Sequence, residues 1–132
     1  MSTPPDERRS SGIRGLDTVL RGGFLQQRSY LVSGAPGTGK TILGLHFLDA
    51  GLALEEQPLL ITFSEPAASL ERNLGNLGFS FDRIRMLDLT PPVELFSDAE
   101  PTYDLLSPAE TEREPVLRRI AETVTGLEPQ RV

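Results

Sequence analysis

Residues 29–41 read Ser29-Tyr-Leu-Val-Ser-Gly-Ala-Pro-Gly-Thr-Gly-Lys-Thr41, and the residues that follow set Ile42, Leu45, Leu48 and Leu52 on one helical stripe. The apolar run over 29–33, bounded by turn residues, predicts a strand, and the stripe predicts a helix over 41–54. Between them Gly34-Ala-Pro-Gly-Thr-Gly-Lys-Thr41 fits G-x-x-x-x-G-K-[ST] in the strand, turn and helix context that gives this pattern its meaning. With glycine at roughly 7% of residues, a chance match in so short a chain is on the order of half a percent.

The spacing has a mechanical reason. Gly34, Gly37 and Gly39 let the backbone curl so that successive N–H groups point inward, with Ala35, Pro36 and Thr38 completing the loop. The first N–H groups of the next helix, at Lys40, Thr41 and Ile42, add its positive dipole end, and together these make a cradle for phosphates. Lys40, the only lysine in the chain, would reach β- and γ-phosphate oxygens, and the Thr41 hydroxyl is the candidate magnesium ligand.

Outward from the loop, strand and helix patterns alternate. Upstream, residues 11–23 place Ile13, Leu16, Val19 and Leu20 at helical spacing and end in a Gly pair suited to a reversal. Residues 1–10 are polar and Pro-rich and read as a disordered lead-in. Downstream, the apolar run over 58–63 predicts a buried strand, and residues 66–77 a helix with Leu70, Leu74 and Leu77 on one face and Gly78 as its stop. Residues 83–89 predict a third strand. Residues 90–114 are acidic, hold four prolines and read as a long loop with a helical turn at 107–110. A last helix over 116–124 would turn Leu117, Ile120, Ala121 and Val124 inward and stop at Gly126. The alternation is that of an α/β domain with a mostly parallel sheet.

Composition narrows the chemistry. The 132 residues suit one domain or part of one, and 38% apolar content supports a core. No run reaches the length of a membrane span and no apolar signal core opens the chain, so the expected location is the cytoplasm, with no membrane partner. A net charge of −6 argues against duplex nucleic acid as a partner. With no cysteine and a single histidine, thiolate chemistry and His-rich metal sites are excluded. His46 reads as an ordinary helix residue, and Arg113, Arg118 and Arg119 as a solvated helix face. Glu65, in Ser64-Glu65-Pro66 just past a predicted strand, leaves two roles open. It either favours the N-terminus of the next helix or polarises the water that attacks a γ-phosphate.

Three blocks, Ser11-Gly-Ile-x-Gly-Leu-Asp-x-x-Leu-x-Gly-Gly23, then residues 29–41, then Ile61-Thr-Phe-Ser-Glu65, resemble the KaiC-like branch of the RecA/RadA ATPase superfamily. The resemblance runs from about Ser10 to the last residue and implies a RecA-like P-loop NTPase of three layers, incomplete here, occupying residues 11–132. It implies ATP and Mg2+ as ligands, Lys40 and Glu65 as catalytic residues, and self-association, a hexameric ring in the family. At Glu65 it favours activation of the hydrolytic water. Where KaiC carries two adjacent acids, the first position here is Ser64, leaving one carboxylate.

By the same resemblance Arg131-Val132 opens a Walker B strand whose Asp lies beyond these residues. That strand is expected to neighbour the P-loop strand and to leave an unpaired apolar edge, with poor solubility, compensating assembly or a rearranged fold as the consequence. Hydrolysis by these residues alone is expected to be weak or absent. The implied activity is ATP binding and, in the intact domain, Mg-dependent hydrolysis in bacterial signalling or clock-related regulation, with a signalling protein as possible partner. Two further readings stand beside it: a non-catalytic regulator binding nucleotide or a partner, and a small P-loop kinase.

Overall fold

Leu59–Thr62 is an apolar run and Arg85–Asp88 sets Met86 and Leu87 between charged ends, and the connection between them, which includes the helix Ala67–Leu74, is long enough for a crossover. They pair in parallel, Leu59 opposite Arg85 through Thr62 opposite Asp88. In the computed structural model, which describes residues 7–91 and 109–132, the order is β1 (Arg8–Arg9), α1 (Arg14–Val19), β2 (Phe24–Leu25), α2 (Lys40–Leu52), β3 (Leu59–Thr62), α3 (Ala67–Leu74), β4 (Arg85–Asp88) and α4 (Ala109–Leu127). A 3-10 turn, Gly75–Leu77, closes α3, and Gly78 follows it at φ 87° as the left-handed stop.

The core is the predicted stripe of α2 against α3 and the sheet, except for Ile42, which stands exposed in the first turn of the helix. Leu45, Leu48 and Leu52 cluster with Leu70, Phe81 and Ile84, and Leu60, Met86, Phe47 and Phe79 pack around them. Leu45 and Leu59 are fully buried. His46 meets Phe79 edge to face at 5.0 Å between ring centroids, so it is part of this packing.

A buried guanidinium closes the domain. Arg131 ion-pairs with Glu56, donates to the carbonyls of Ser10 (2.6 Å) and Phe47 (2.8 Å), and lies 4.7 Å from the Phe47 ring centroid. Glu56 also accepts from Arg9, so one carboxylate holds two cations. Gly51 is required there, because a Cβ would come within 2.8 Å of Arg131 and Glu56. Next to this knot Asp17 accepts from Ser10, from the Ser11 hydroxyl and from the Ser11 N–H, tying the segment before α1 to the helix.

Several expectations change. Residues 29–33, expected as a strand, join no ladder among the described residues, and Leu31 is 94% exposed. Only residues 130–131 approach the open side of β3, through a parallel bridge of Arg131 to Pro58, so an extended run at 29–33 finds no hydrogen-bonding neighbour. Arg131, expected to open a strand next to the P-loop strand, thus pairs with the residue before β3 and joins no ladder with residues 29–33 among the described residues. Residues 8–10, assigned to a disordered lead-in, are held: β1 pairs antiparallel with β2, and Arg8 donates to the carbonyls of Leu20 and Gly23. Residues 1–6 lie outside the described residues.

The last helix begins at Ala109 and runs through Pro115 and Gly126 to Leu127, with Glu128, not Gly126, taking positive φ. Glu110, Glu112, Arg113 and Glu114 are good helix formers ahead of the proline, which lies just outside the expected helix. The expected loop over residues 92–108 lies outside the described residues. Along α4, Leu117 (64% exposed), Ala121 and Val124 face solvent, because no described element packs over that stripe. Leu77, expected on the buried face of α3, is exposed in the 3-10 turn, whose tighter winding rotates it off the α-helical stripe.

Two measurements test this account. Leu48→Ala should cost about 2–5 kcal/mol in denaturant unfolding, whereas Leu117→Ala should change stability by less than about 0.5 kcal/mol. Burial alone would raise the Asp17 carboxyl, but the hydrogen bonds from Ser10 and Ser11 and the charge of Arg131 outweigh it and hold the group below its ordinary 3.8. Its stabilising contribution is therefore complete above pH 3.8 and is lost as pH falls through the lower folded value. Stability should fall more steeply below about pH 4 in the parent chain than in Asp17→Asn.

Candidate phosphate-binding site

The loop over residues 34–39 joins the unpaired segment 29–33 to α2. Gly37 (φ 81°) and Gly39 (φ 93°) both sit in the left-handed region, which turns the chain sharply into the helix. At Gly34 a Cβ would come 2.7 Å from the Thr38 hydroxyl oxygen, so any larger residue there would displace that side chain from its bond to Ala35. The Thr38 hydroxyl donates to the Ala35 carbonyl at 2.7 Å, and the Thr38 N–H reaches the same oxygen at 3.3 Å.

Gly39 caps α2 without a side-chain hydrogen bond, and the first intrahelical bond of the loop end runs from the Leu43 N–H to the Gly39 carbonyl (2.9 Å). The N–H groups of Lys40, Thr41 and Ile42 therefore stay open at the positive end of a 13-residue helix. Thr41 and Ile42 are exposed at this end. The Lys40 ammonium lies across the loop, donating to the carbonyls of Gly34 (2.8 Å) and Ala35 (2.9 Å). The nine residues from Gly34 to Ile42 thus form one continuous turn and helix start whose chemistry is N–H donors, a cation and two hydroxyls, of which that of Thr38 is spent on the Ala35 carbonyl.

This donor set suits a polyphosphate. Mg2+ fits it as well, since that ion typically takes one or two protein oxygens and draws the rest of its shell from phosphates and water. Among the described residues no three carboxylates or imidazoles come together as an independent metal site. A cavity of about 660 Å3 flanks the loop, with Phe24, Tyr30, Val32, Phe47 and Arg131 in its wall, but Lys40 is the only one of the eight motif residues that borders it. It is a space beside the cradle, not its mouth.

Glu65 stands just past β3. Its backbone carbonyl accepts from the Thr62 hydroxyl (2.6 Å), and its carboxylate accepts from the Asn73 amide (3.2 Å). Among the described residues it makes no hydrogen bond or ion pair with Lys40 or Thr41. Arg118 pairs with Glu114 one turn away on exposed α4, and Arg113 and Arg119 are exposed there too, as a solvated face requires. Sequence reading missed Thr62 and Asn73 as partners of Glu65, and Asp88 as the partner of Ala67 two residues further on. The register of β3 with β4 is what brings Asp88 there, and no local pattern encodes it.

The sequence pattern of the family described as "ATPase: KaiC" matches residues 9–132. The circadian clock oscillator protein KaiC of Prochlorococcus marinus (strain MIT 9313) is 34% identical over 72% of this chain and 20% of its own length. A UPF0273 protein of Methanopyrus kandleri is 36% identical over 69% of this chain and 36% of its own. The crystal structure of a KaiC-like protein from Pyrococcus horikoshii superposes with a TM-score of 0.71 at 25% identity, covering 95% of this chain and 51% of that one. The chain thus spans well under two thirds of each of these proteins. Its helices and parallel sheet are those of the KaiC-like RecA fold, incomplete over these residues. With a match over nearly its whole length, the chain belongs to the KaiC ATPase family.

Proposed function

We propose that residues 34–42 bind Mg-ATP and that the domain to which they belong hydrolyses it. The observation that carries this reading is the uncapped N-terminus of α2, entered through left-handed Gly39, with the chain's only lysine as its first residue. Loop N–H groups and Lys40 would hold the phosphates, and Thr41 would contribute one oxygen to the magnesium shell. The ion would neutralise charge that develops on the phosphate oxygens.

Glu65 is assigned the activation of water. An ionised carboxylate is an acceptor only, so it can orient a water and take its proton, and its place at the carboxyl edge of β3 is where ligands of open α/β sheets bind. Binding rests on residues at hand. Turnover also calls for a second carboxylate beside Thr41, which by the family resemblance lies beyond these residues, so the expected hydrolysis by this chain alone is weak.

Membership in the family supports self-association into a ring and a cytoplasmic regulatory output driven by nucleotide. The clock oscillator relatives lend timing as one form of that output; the UPF0273 relative carries no such description. Among the described residues no helix is long and apolar enough to cross a membrane.

Calorimetric titration with Mg-ATP tests the cradle. Lys40→Ala should weaken binding by roughly 10- to 100-fold, the loss of charge-assisted hydrogen bonds to phosphate, with the circular dichroism unchanged. Thr41→Ala should erase the magnesium dependence of binding more than the binding of free ATP. Equal affinity in all three chains would refute the assignment. Glu65→Gln should bind as the parent does and lower whatever turnover is measured by about 100-fold or more.

A further inference from the structure

The parallel register of β3 and β4 sets Thr62 opposite Asp88, so the two strands end side by side. The chain leaving β3 must turn through Ser64-Glu65-Pro66 into α3, and the chain leaving β4 turns through Leu89 and Thr90. Asp88 stands between these turns and bonds to both. Its Oδ2 accepts from the Ala67 N–H at 2.8 Å, at the start of α3. Its Oδ1 accepts from the Thr90 N–H (2.9 Å) and the Thr90 hydroxyl (2.5 Å). One further ladder bond, from the Leu89 N–H to the Thr62 carbonyl (2.9 Å), locks the two strand ends together.

Pro66 caps α3 with no side-chain hydrogen bond of its own, so the carboxylate that reaches the Ala67 N–H comes from the neighbouring strand. Glu65 thus sits in a turn fixed at two points, the Thr62 hydroxyl on its carbonyl and Asp88 two residues beyond it. We propose that Asp88 is a positioning residue, holding the Ser64-Glu65-Pro66 turn so that the Glu65 carboxylate is presented at the edge of the sheet. This rests on the assignment of Glu65 as activator of water.

The chemistry of the position selects a carboxylate. Donors approach both oxygens, and ionised Asp accepts on both, whereas Asn offers one acceptor oxygen and an amide NH2 that only donates. Asparagine can therefore satisfy Ala67 or Thr90 but not both, and glutamate, one methylene longer, cannot span the same two turns without displacing one. Hydrogen bonding to Thr90 and Ala67 also keeps the Asp88 carboxyl below its ordinary 3.8, with the charge of Arg119 adding to it, so the acceptor state persists at working pH.

The test uses the full chain in four forms: parent, Asp88→Asn, Glu65→Gln and the double variant. Amide hydrogen exchange by NMR should show the Ala67 or Thr90 N–H exchanging at least tenfold faster in Asp88→Asn, with α2 amides and Mg-ATP affinity unchanged. Turnover should drop about tenfold at constant KM in Asp88→Asn, and the same substitution should cost nothing more once Glu65 is glutamine. Unchanged exchange at both amides overturns the proposal, as does a drop in turnover of equal size with and without Glu65, which marks general loss of structure. Glu65→Gln at parental turnover, or a parent without turnover, overturns hydrolysis through Glu65 in this chain. In that event the exchange result still decides whether Asp88 holds the turn.

Discussion

The guanidinium of Arg131 is the contact on which the arrangement of the other elements depends. Taken out of water, it is compensated by the Glu56 carboxylate and by two backbone carbonyls, one before α1 and one in the middle of α2. Breaking such a buried pair by removing one partner typically costs about 3–5 kcal/mol, since the remaining charge is left without compensation. Its hydrogen bonds link the opening segment, the cradle's helix, the turn after that helix and the strand position beside β3. Gly51 belongs to the same constraint, because any side chain there would fill the space that Arg131 and Glu56 occupy.

The two chemical assignments sit on different supports. The cradle is a local object: glycines at positive φ, an open helix end and Lys40 lie within nine consecutive residues. The surroundings of Glu65 are assembled from three elements, Thr62 from β3, Asn73 from α3 and Asp88 from β4. A change in sheet register would leave the first intact and dismantle the second. Nucleotide affinity and water activation are thus separable properties of this chain.

That difference also explains what was legible in the sequence. The loop, most of the α2 stripe and the strands β3 and β4 follow from patterns within a dozen residues, and Leu45, Leu48 and Leu59 are buried as those patterns require. Residues 29–33 have the composition of a strand, yet a strand exists only with a partner, and pairing is not written in the five residues themselves. Leu117, Ala121 and Val124 form an apolar stripe whose covering element is likewise a property of the rest of the fold. Arg8 and Arg9 looked like a polar lead-in because their hydrogen bonds run to carbonyls and carboxylates up to 47 residues away. Asp88 gave no signal because its role comes from which strand lies next to it.

Arg131 is 75 residues from Glu56 and 121 from Ser10. Contacts so distant along the chain carry large loop-closure entropy and form after local ones. During synthesis from the N-terminus, α2 and the β3–α3–β4 unit are available to fold well before residue 131 emerges. The cradle would then be shaped early, on a helix whose midpoint is not yet pinned. Final anchoring of that helix is a late event in biogenesis, and until it occurs Glu56 is a partly buried carboxylate with Arg9 as its only cation.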